Sequence, residues 1–189
     1  MSHRAGLDKT VIVEAAARLV DEEGVEQLTL GRLAERLGVR TPSLYNHVAG
    51  LPGLKHELAL YCLRDLLGFI SRSAIGKSRS DAIFAFAHAY LTYARERPGR
   101  YSFTISPDPD DPEVQELARQ NVEVSRAILA PYKLPDEETI HAIRSLRSIV
   151  HGFILLDKAS GFRMPVDPNV TFDWMLHLFI DGLERKASS

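Results

Sequence analysis

Residues 28–48, LTLGRLAERLGVRTPSLYNHV, determine how the N-terminal part of the chain folds. Thr29 is a residue type that caps a helix by accepting a hydrogen bond from its first turn. Gly38 follows that predicted helix at the point where a chain often needs a left-handed residue to turn. Between them, four apolar positions at helical spacing form one buried face: Leu30, Leu33, Ala34 and Leu37.

A second short helix is predicted directly after this turn. Thr41 is a further capping residue, Pro42 suits the first helical position, and Leu44 points back to the core. Two short helices joined by a tight glycine turn form a helix-turn-helix, whose second helix enters the DNA major groove. A helical hairpin inside a core is the alternative, but the second helix is too short and too polar for it. Its outward side chains are types that bind phosphates and bases: Ser43, Tyr45, Asn46 and His47.

The stretches 33–39 and 41–48 resemble the recognition region of the TetR family of bacterial transcriptional regulators. The resemblance is close over about the first 60 residues. Beyond them it is one of architecture, with a short similarity at 151–153. We predict contacts near the bases from Arg40, Thr41, Pro42 and Ser43, contacts to phosphates from Tyr45, His47 and Lys55, and further DNA contacts from Thr29 and Asn46.

One position departs from the family pattern. Members of the TetR family usually carry a lysine just after the recognition helix, where it contacts a phosphate, and this chain has Leu51 there. Lys55 lies one helical turn further on and is the predicted substitute. If Lys55 does not reach the phosphate, one anchor is missing and the affinity for DNA is lower.

Composition limits the function classes. The chain has 189 residues, 25% of them charged, and a net charge of −2, so it is not a general binder of polyanions. DNA contact must come from a local patch, in which Arg32, Arg36 and Arg40 outnumber the single acid Glu35 within residues 28–50. Such a modest patch favours a site-specific binder.

A single cysteine, Cys62, excludes an internal disulfide and suits a reducing cytoplasm. Its apolar neighbours favour a buried, inert thiol over a redox sensor. The N-terminus has no apolar signal segment, and no run is long and apolar enough to span a membrane. The sequence therefore predicts a cytoplasmic protein that is neither secreted nor integral to a membrane.

The whole chain is predicted to be all-α, since no convincing strand, repeat or low-complexity tract interrupts the helical pattern. We predict a helix-turn-helix DNA-binding domain over 1–52, a connecting helix over 53–76, and an effector-binding and dimerisation domain over 77–189. The first helix, with apolar positions from Ile12 to Val20, should pack over the helix-turn-helix and complete a three-helix unit.

The last two predicted helices are apolar on more than one side, as residues 153–156 and 172–180 show. A helix of this kind needs two apolar neighbours, and one of them can be a second copy of the chain. Complete burial inside the monomer is the alternative. The family resemblance implies a four-helix bundle across a homodimer, and the predicted interface residues are Ile149, Phe153, Leu156, Phe172, Leu176, Phe179 and Ile180.

Polar and aromatic residues in the second half predict a pocket for a small-molecule effector, because such pockets combine apolar walls with a few polar groups. For any single residue a structural role remains the alternative, and the resemblance favours the pocket as a whole. The predicted lining residues are His88, Tyr93, Tyr101, Phe103, Arg144, Ser148 and His151.

No catalytic motif is present, and no cofactor is predicted. His177 is spaced i, i+4 from Asp173 and from Asp181, but a third ligand is missing, so no metal site is predicted. The sequence thus predicts a homodimeric transcriptional regulator, most simply a repressor that leaves an inverted-repeat operator when an effector binds. The alternatives are a helical ligand-binding or protein-interaction module with weak or lost DNA binding, and a helical enzyme.

Overall fold

The computed structural model describes residues 7–187, and no strand occurs among them, which confirms the all-α prediction. Short 3-10 turns at Val25–Gln27 and Ala130–Tyr132 accompany the α-helices. These helices are α1 (Lys9–Glu23), α2 (Leu30–Leu37), α3 (Thr41–Leu44), α4 (Gly50–Ser73), α5 (Arg79–Glu96), α6 (Pro98–Ile105), α7 (Pro112–Leu129), α8 (Asp136–Lys158) and α9 (Pro168–Ala187).

The described residues form two compact units that do not follow chain order. The first unit contains residues up to 66 together with 95–115, and the second contains 67–94 together with the residues from 116 onward. Helix α6 and the start of α7 thus fold with the N-terminal helices, although the sequence predicts that residues 77–189 form one domain. The functional division into 1–52, 53–76 and 77–189 stays a prediction.

The core of the first unit is built on α1, as the helical spacing predicted. All five of the predicted apolar positions are buried: Ile12, Ala15, Ala16, Leu19 and Val20. They pack in one cluster with Leu33 of α2 and Leu44 of α3, both fully buried. α1 therefore covers the helix-turn-helix and completes a three-helix head.

Local signals explain the first helix of the helix-turn-helix. The Thr29 hydroxyl accepts a hydrogen bond from the backbone N–H of Arg32 at 3.2 Å, and Gly38 ends α2 with a left-handed φ of 65°. Both expectations are confirmed. The second capping expectation is wrong by one residue: Arg40 precedes α3 and no side chain caps it, so Thr41 and Pro42 are its first two residues.

Prolines begin helices here rather than only ending them. α4 begins at Gly50 and not at residue 53, where the sequence predicts the connecting helix to begin, so that Pro52 lies in its first turn. Similarly, Pro98 is the first residue of α6 and not only a stop signal after α5. The first turn of a helix tolerates proline because the N–H that proline lacks has no partner there.

Aromatic and aliphatic side chains from α5, α8 and α9 form the core of the second unit. Tyr93, Phe153 and Phe172 are almost completely buried, and the rings of Phe153 and Phe172 lie 4.6 Å apart. None of the helices within residues 7–187 combines the length and the apolar character that a membrane crossing requires.

Candidate nucleic-acid interface

Two buried residues hold the recognition segment against the head. Leu44 is completely buried and Val48 is 5% exposed, whereas Tyr45 between them is 60% exposed. The backbone N–H of Val48 bonds to the carbonyl of Leu44 at 3.0 Å, which continues the turn beyond α3. The segment thus presents its polar side chains outward on an apolar anchor.

All nine predicted DNA-contacting residues lie at least partly on the surface. Those exposed to solvent are Thr29, Arg40, Pro42, Tyr45, Asn46 and Lys55, and those half-buried are Thr41, Ser43 and His47. A side chain must be accessible to contact a base edge or a phosphate, and this condition is met. The individual roles stay predictions.

Acids of α1 neutralise part of the predicted basic patch. Arg32 forms an ion pair with Glu23, and Arg36 forms one with Glu22. The count within residues 28–50 missed these acids because they belong to the end of the preceding helix. Two of the three arginines of that patch are therefore paired in the free protein, and the positive surface is smaller than predicted.

Arg40 and Lys55 remain as unpaired, exposed cations beside the recognition segment: within residues 7–187 neither forms an ion pair or a side-chain hydrogen bond. Two other basic residues of this unit do have acidic partners: Lys9 pairs with Glu57 at 2.7 Å, and His56 lies 3.2 Å from Asp111. A cation without an internal partner is free to bind a phosphate.

Leu51 has a structural role at the position where the family usually has lysine. Its side chain is partly buried and packs against the apolar cluster of the first unit. Lys55, one turn along α4, is exposed. The departure from the family pattern thus adds an apolar contact to the head and leaves Lys55 as the nearby cation.

A half-buried charge cluster ties α6 to the head, and sequence reasoning missed it. The Arg100 guanidinium lies 2.8 Å from a carboxylate oxygen of Asp21 and 3.1 Å from one of Asp65, and Arg97 lies 3.0 Å from Asp65. Burial raises the pKa of Asp21, which the nearby Arg100 partly offsets. No sequence signal links these residues because they come from segments that are far apart in the chain.

The single thiol, Cys62, is completely buried in the same unit. Burial raises the pKa of this thiol well above its ordinary value. A thiolate is the reactive form of cysteine, so a raised pKa agrees with the predicted inert role.

The predicted effector residues are divided between the two units. His88, Tyr93 and His151 lie in the second unit, whereas Tyr101 and Phe103 lie in the first, where Tyr101 is completely buried and Phe103 packs against the core of the head. A completely buried side chain offers no surface to a ligand, so the expectation of a lining role is corrected for both Tyr93 and Tyr101. Two further predicted lining residues are exposed on α8: Arg144 and Ser148.

A polar cluster that includes His151 does lie inside the second unit. The Asn121 side-chain amide donates to the Tyr90 hydroxyl at 3.0 Å, and the His151 ring lies 5.3 Å from the Tyr90 ring. The amide oxygen of Asn121 is buried and has no hydrogen-bond partner within the described residues. Asn121 was missed because one asparagine in an amphipathic helix carries no functional signal.

We expect His151 to make stability sensitive to acid. Burial, with a smaller effect from Arg147, lowers the pKa of His151 from 6.5 to about 4. The unfolded chain therefore takes up this proton first, and stability is lost as the pH falls from about 6.5 towards 4. Urea unfolding at pH 7 and pH 4.5 should show a loss that is about 2 kcal/mol larger than in His151→Gln, which lacks the titrating ring. Equal losses in the two proteins would contradict the buried neutral ring.

The histidine–aspartate pairs of α9 have structural partners. The ring of His177 donates to the backbone carbonyl of Asp173 at 2.8 Å, and the carboxylate of Asp173 lies 2.7 Å from the ring of His88. No group of three or more metal-binding side chains is found in the described part of the chain.

The predicted dimer residues face mostly inward. Phe153, Phe172, Leu176 and Ile180 are at most 6% exposed, so they belong to the core of the second unit and offer no surface to a second copy. Ile149 and Phe179 are half-buried, and Leu156 is 52% exposed. This part of the interface prediction is corrected for the four core residues.

Other residues of the same two helices supply an exposed apolar face. The helices are apolar on two sides as predicted, but Leu156 is the one predicted interface residue among the large exposed apolar side chains of the described chain. Those with exposed fractions between 46% and 62% are Leu155, Leu156, Val170, Trp174 and Leu178.

Comparison with known proteins adds to this geometry. The family model described as "Bacterial regulatory proteins, tetR family" matches residues 12–47, and the model described as "Tetracyclin repressor-like, C-terminal domain" matches residues 83–179. The second match alone covers more than half of the chain. The chain belongs to the TetR family. Its members are transcriptional regulators, so the helix-turn-helix reading of residues 28–48 is confirmed at the level of the family.

Two relatives match nearly the whole chain. The uncharacterized HTH-type transcriptional regulator Rv0681 of Mycobacterium tuberculosis is 36% identical over 97% of this chain and 85% of its own length. The uncharacterized HTH-type transcriptional regulator YobS of Bacillus subtilis is 35% identical over 97% of this chain and 96% of its own length.

Solved structures show the same fold. A protein of unknown function from Rhodococcus sp. RHA1 has a TM-score of 0.81 and 18% identity, over 97% of this chain and 99% of that one. A TetR variant from Acinetobacter baumannii AYE, solved in complex with minocycline, has a TM-score of 0.72 and 25% identity, over 97% of this chain and 100% of that one. Residues 7–187 therefore have the fold of a TetR-family protein.

Proposed function

We propose that this TetR-family regulator acts as a homodimeric repressor that binds an inverted-repeat operator and leaves it when a small molecule binds. The observation that carries DNA binding is the polar segment around Tyr45, held outward on the buried side chains of Leu44 and Val48. A dimer explains site specificity, because two recognition helices about 34–36 Å apart read half-sites in successive major grooves.

In the proposed complex, Arg40, Thr41, Pro42 and Ser43 lie near base edges, and Tyr45, His47 and Lys55 contact phosphates. The exposure of Arg40 and Lys55 and their lack of a partner among the described residues support this division. Thr29 caps α2 through its hydroxyl, so any contact to DNA from Thr29 comes in addition to that bond.

The proposed effector site lies in the second unit, near the polar cluster of Tyr90, Asn121 and His151. A buried amide oxygen without a partner costs free energy, which a ligand donor would recover. The minocycline complex of the TetR variant supports a small molecule as the class of effector. The effector acts by shifting the protein from the conformation that binds DNA to another conformation. The factor by which the affinity for DNA falls cannot exceed the ratio of the effector's affinities for these two conformations. We infer that the chain acts by binding and not by catalysis.

Selection of genomic DNA fragments by the purified protein tests the proposal. The expected result is enrichment of an inverted repeat, whose affinity falls steeply as salt rises because bound cations displace counterions. The competing function is a ligand-binding module with weak DNA binding, which the pairing of Arg32 and Arg36 with acids favours. No enrichment at low salt, with the protein folded and dimeric, would establish that competitor.

Lys55→Gln should reduce the salt dependence of DNA binding. Removing one phosphate contact lowers the slope of log affinity against log salt by about 1 and weakens binding similarly at all sequences. The matched control is Glu14→Gln with Arg18→Gln, which removes an ion pair within α1 of the same head, outside the predicted basic patch, without changing the net charge. The control should keep the wild-type slope, and a slope reduced equally in both proteins would contradict the role of Lys55.

A further inference from the structure

A groove lies between α8 and α9 on the outer side of the second unit. Its volume is about 370 Å³. An ion pair between Glu138 and Lys186, 3.0 Å long, stands at one end. The groove is otherwise mainly apolar, with Ala142, Leu178, Phe179, Gly182 and Leu183 among its lining residues.

Gly182 has no role within its own chain that requires glycine. It lies inside α9, and a Cβ added there would meet nothing within 4 Å. Glycine is a poor helix former, and the open space beside Gly182 leaves room for a side chain of a second copy. Gly152 of α8 shows the same open space and is exposed.

A large aromatic side chain lies on the same stripe of α9 as Gly182. Trp174 is 62% exposed and Leu178 is 49% exposed. Because residues four apart share one face of a helix, Trp174, Leu178 and Gly182 follow one another along the outer face. An exposed tryptophan next to an apolar groove is typical of a protein–protein interface.

We propose that α9 pairs antiparallel with α9 of a second copy, crossing at Leu178, so that each Trp174 seats in the groove of the other copy beside Gly182 of the partner subunit. The stripe is complementary to itself under a two-fold axis: Trp174 and Gly182 lie at equal distances from Leu178, and each bulky ring meets an open space. The inference rests on the proposed homodimer and names its central contact.

Charges favour this crossing point over its neighbours. A two-fold axis at Leu178 places Asp181 opposite Met175 of the partner subunit and Arg185 opposite Thr171 of the partner subunit, so like charges do not meet. A crossing at Trp174 would instead place Asp181 opposite Asp167 of the partner subunit, which costs free energy by repulsion.

A crossing at Gly182 would place Lys186 opposite Leu178 of the partner subunit. Lys186 already forms its ion pair with Glu138 at the end of the groove. That register would bring a charged side chain against an apolar one and leave Trp174 without a groove. The register centred on Leu178 is the one that fills the groove.

Cysteine cross-linking tests the register. In the full-length protein, Leu178→Cys should form a covalent dimer readily under mild oxidation, because the axis brings the two thiols together. The matched control is Val170→Cys, which lies on the same stripe and is 61% exposed, but about 12 Å along the helix from the crossing point. Two such thiols would lie too far apart to bond. Cys62 is completely buried and gives the same background in both proteins.

A residue exchange tests the contact itself. Trp174→Ala should raise the dimer dissociation constant by about 30-fold or more, measured by sedimentation, because buried tryptophans dominate interfaces. Gly182→Trp alone should weaken the dimer as well, since two rings then compete for one groove. In the double variant Trp174→Ala with Gly182→Trp, each contact again pairs one tryptophan ring with one small residue. This variant should therefore recover most of the affinity of the two copies for each other.

The outcomes separate this inference from the proposed function. Cross-linking at Leu178 but not at Val170, with recovery in the double variant, supports the register. A wild-type protein that is dimeric and binds DNA, with cross-linking at Val170 and none at Leu178, overturns the register and leaves the regulator intact. A monomeric wild-type protein without operator binding overturns the proposed function itself. Circular dichroism of each variant confirms that the helices are retained.

Discussion

Gly99→Ala is expected to destabilise the first unit by more than about 3 kcal/mol. A Cβ at this position would lie 2.1 Å from the backbone carbonyl oxygen of Val20 and 2.7 Å from the backbone nitrogen of Asp21. Backbone atoms cannot rotate away, so α6 must separate from the end of α1. Urea unfolding should show the loss as a transition at lower denaturant concentration.

Gly99→Ala should also lower the affinity for DNA, because the separation of α6 from α1 disturbs the contacts of Arg100. The backbone N–H of Arg100 donates to the carboxylate of Asp21 at 2.9 Å, and its guanidinium bridges Asp21 and Asp65. These contacts join α6 to the helix that covers the recognition segment. A head with a displaced α1 presents α3 less well to DNA.

Gly31→Ala is the matched control for this prediction. Gly31 lies inside α2, where a Cβ would be 4.0 Å from the hydroxyl oxygen of Thr29, an ordinary contact distance. Alanine is the better helix former, so the variant should be more stable by up to about 1 kcal/mol. If Gly99→Ala behaved like Gly31→Ala, the close approach of α6 to α1 would be refuted.

The head could be predicted from sequence because its signals are local. Thr29 and Gly38 each act on residues next to them in the chain. In α1, apolar residues recur every three to four positions, so its buried face can be identified from the sequence. The contact between Asp21 and Arg100 could not be predicted, because it joins residues far apart in sequence. No periodicity carries such information.

The interface prediction failed for four residues because hydrophobicity alone does not orient a helix. Phe172 and Trp174 are both aromatic and lie on the same helix, yet Phe172 is completely buried and Trp174 is 62% exposed. When two sides of a helix are apolar, only packing against α5 and α8 decides which side is internal. The open space beside Gly182 is likewise visible only in three dimensions.

Leu44→Ala should abolish operator binding while the second unit stays folded. Leu44 is completely buried and is the only buried residue of the one-turn helix α3. Truncating a buried leucine costs about 2–5 kcal/mol, and a single turn has too few internal hydrogen bonds to persist without that anchor. Hydrogen exchange should show loss of protection for the amides of residues 43–48, together with loss of operator binding at constant salt.

Tyr45→Ala separates anchoring from contact. Tyr45 is the next residue and is 60% exposed, so its truncation should leave amide protection in residues 43–48 and thermal stability nearly unchanged. Any loss of DNA affinity in this variant then measures the contact of the Tyr45 side chain with DNA. The loss in Leu44→Ala instead measures how far the folded recognition segment is needed to position that contact. Both variants should remain dimeric, because the proposed interface lies in the second unit. If Leu44→Ala bound the operator with wild-type affinity, the recognition segment would lie elsewhere in the chain.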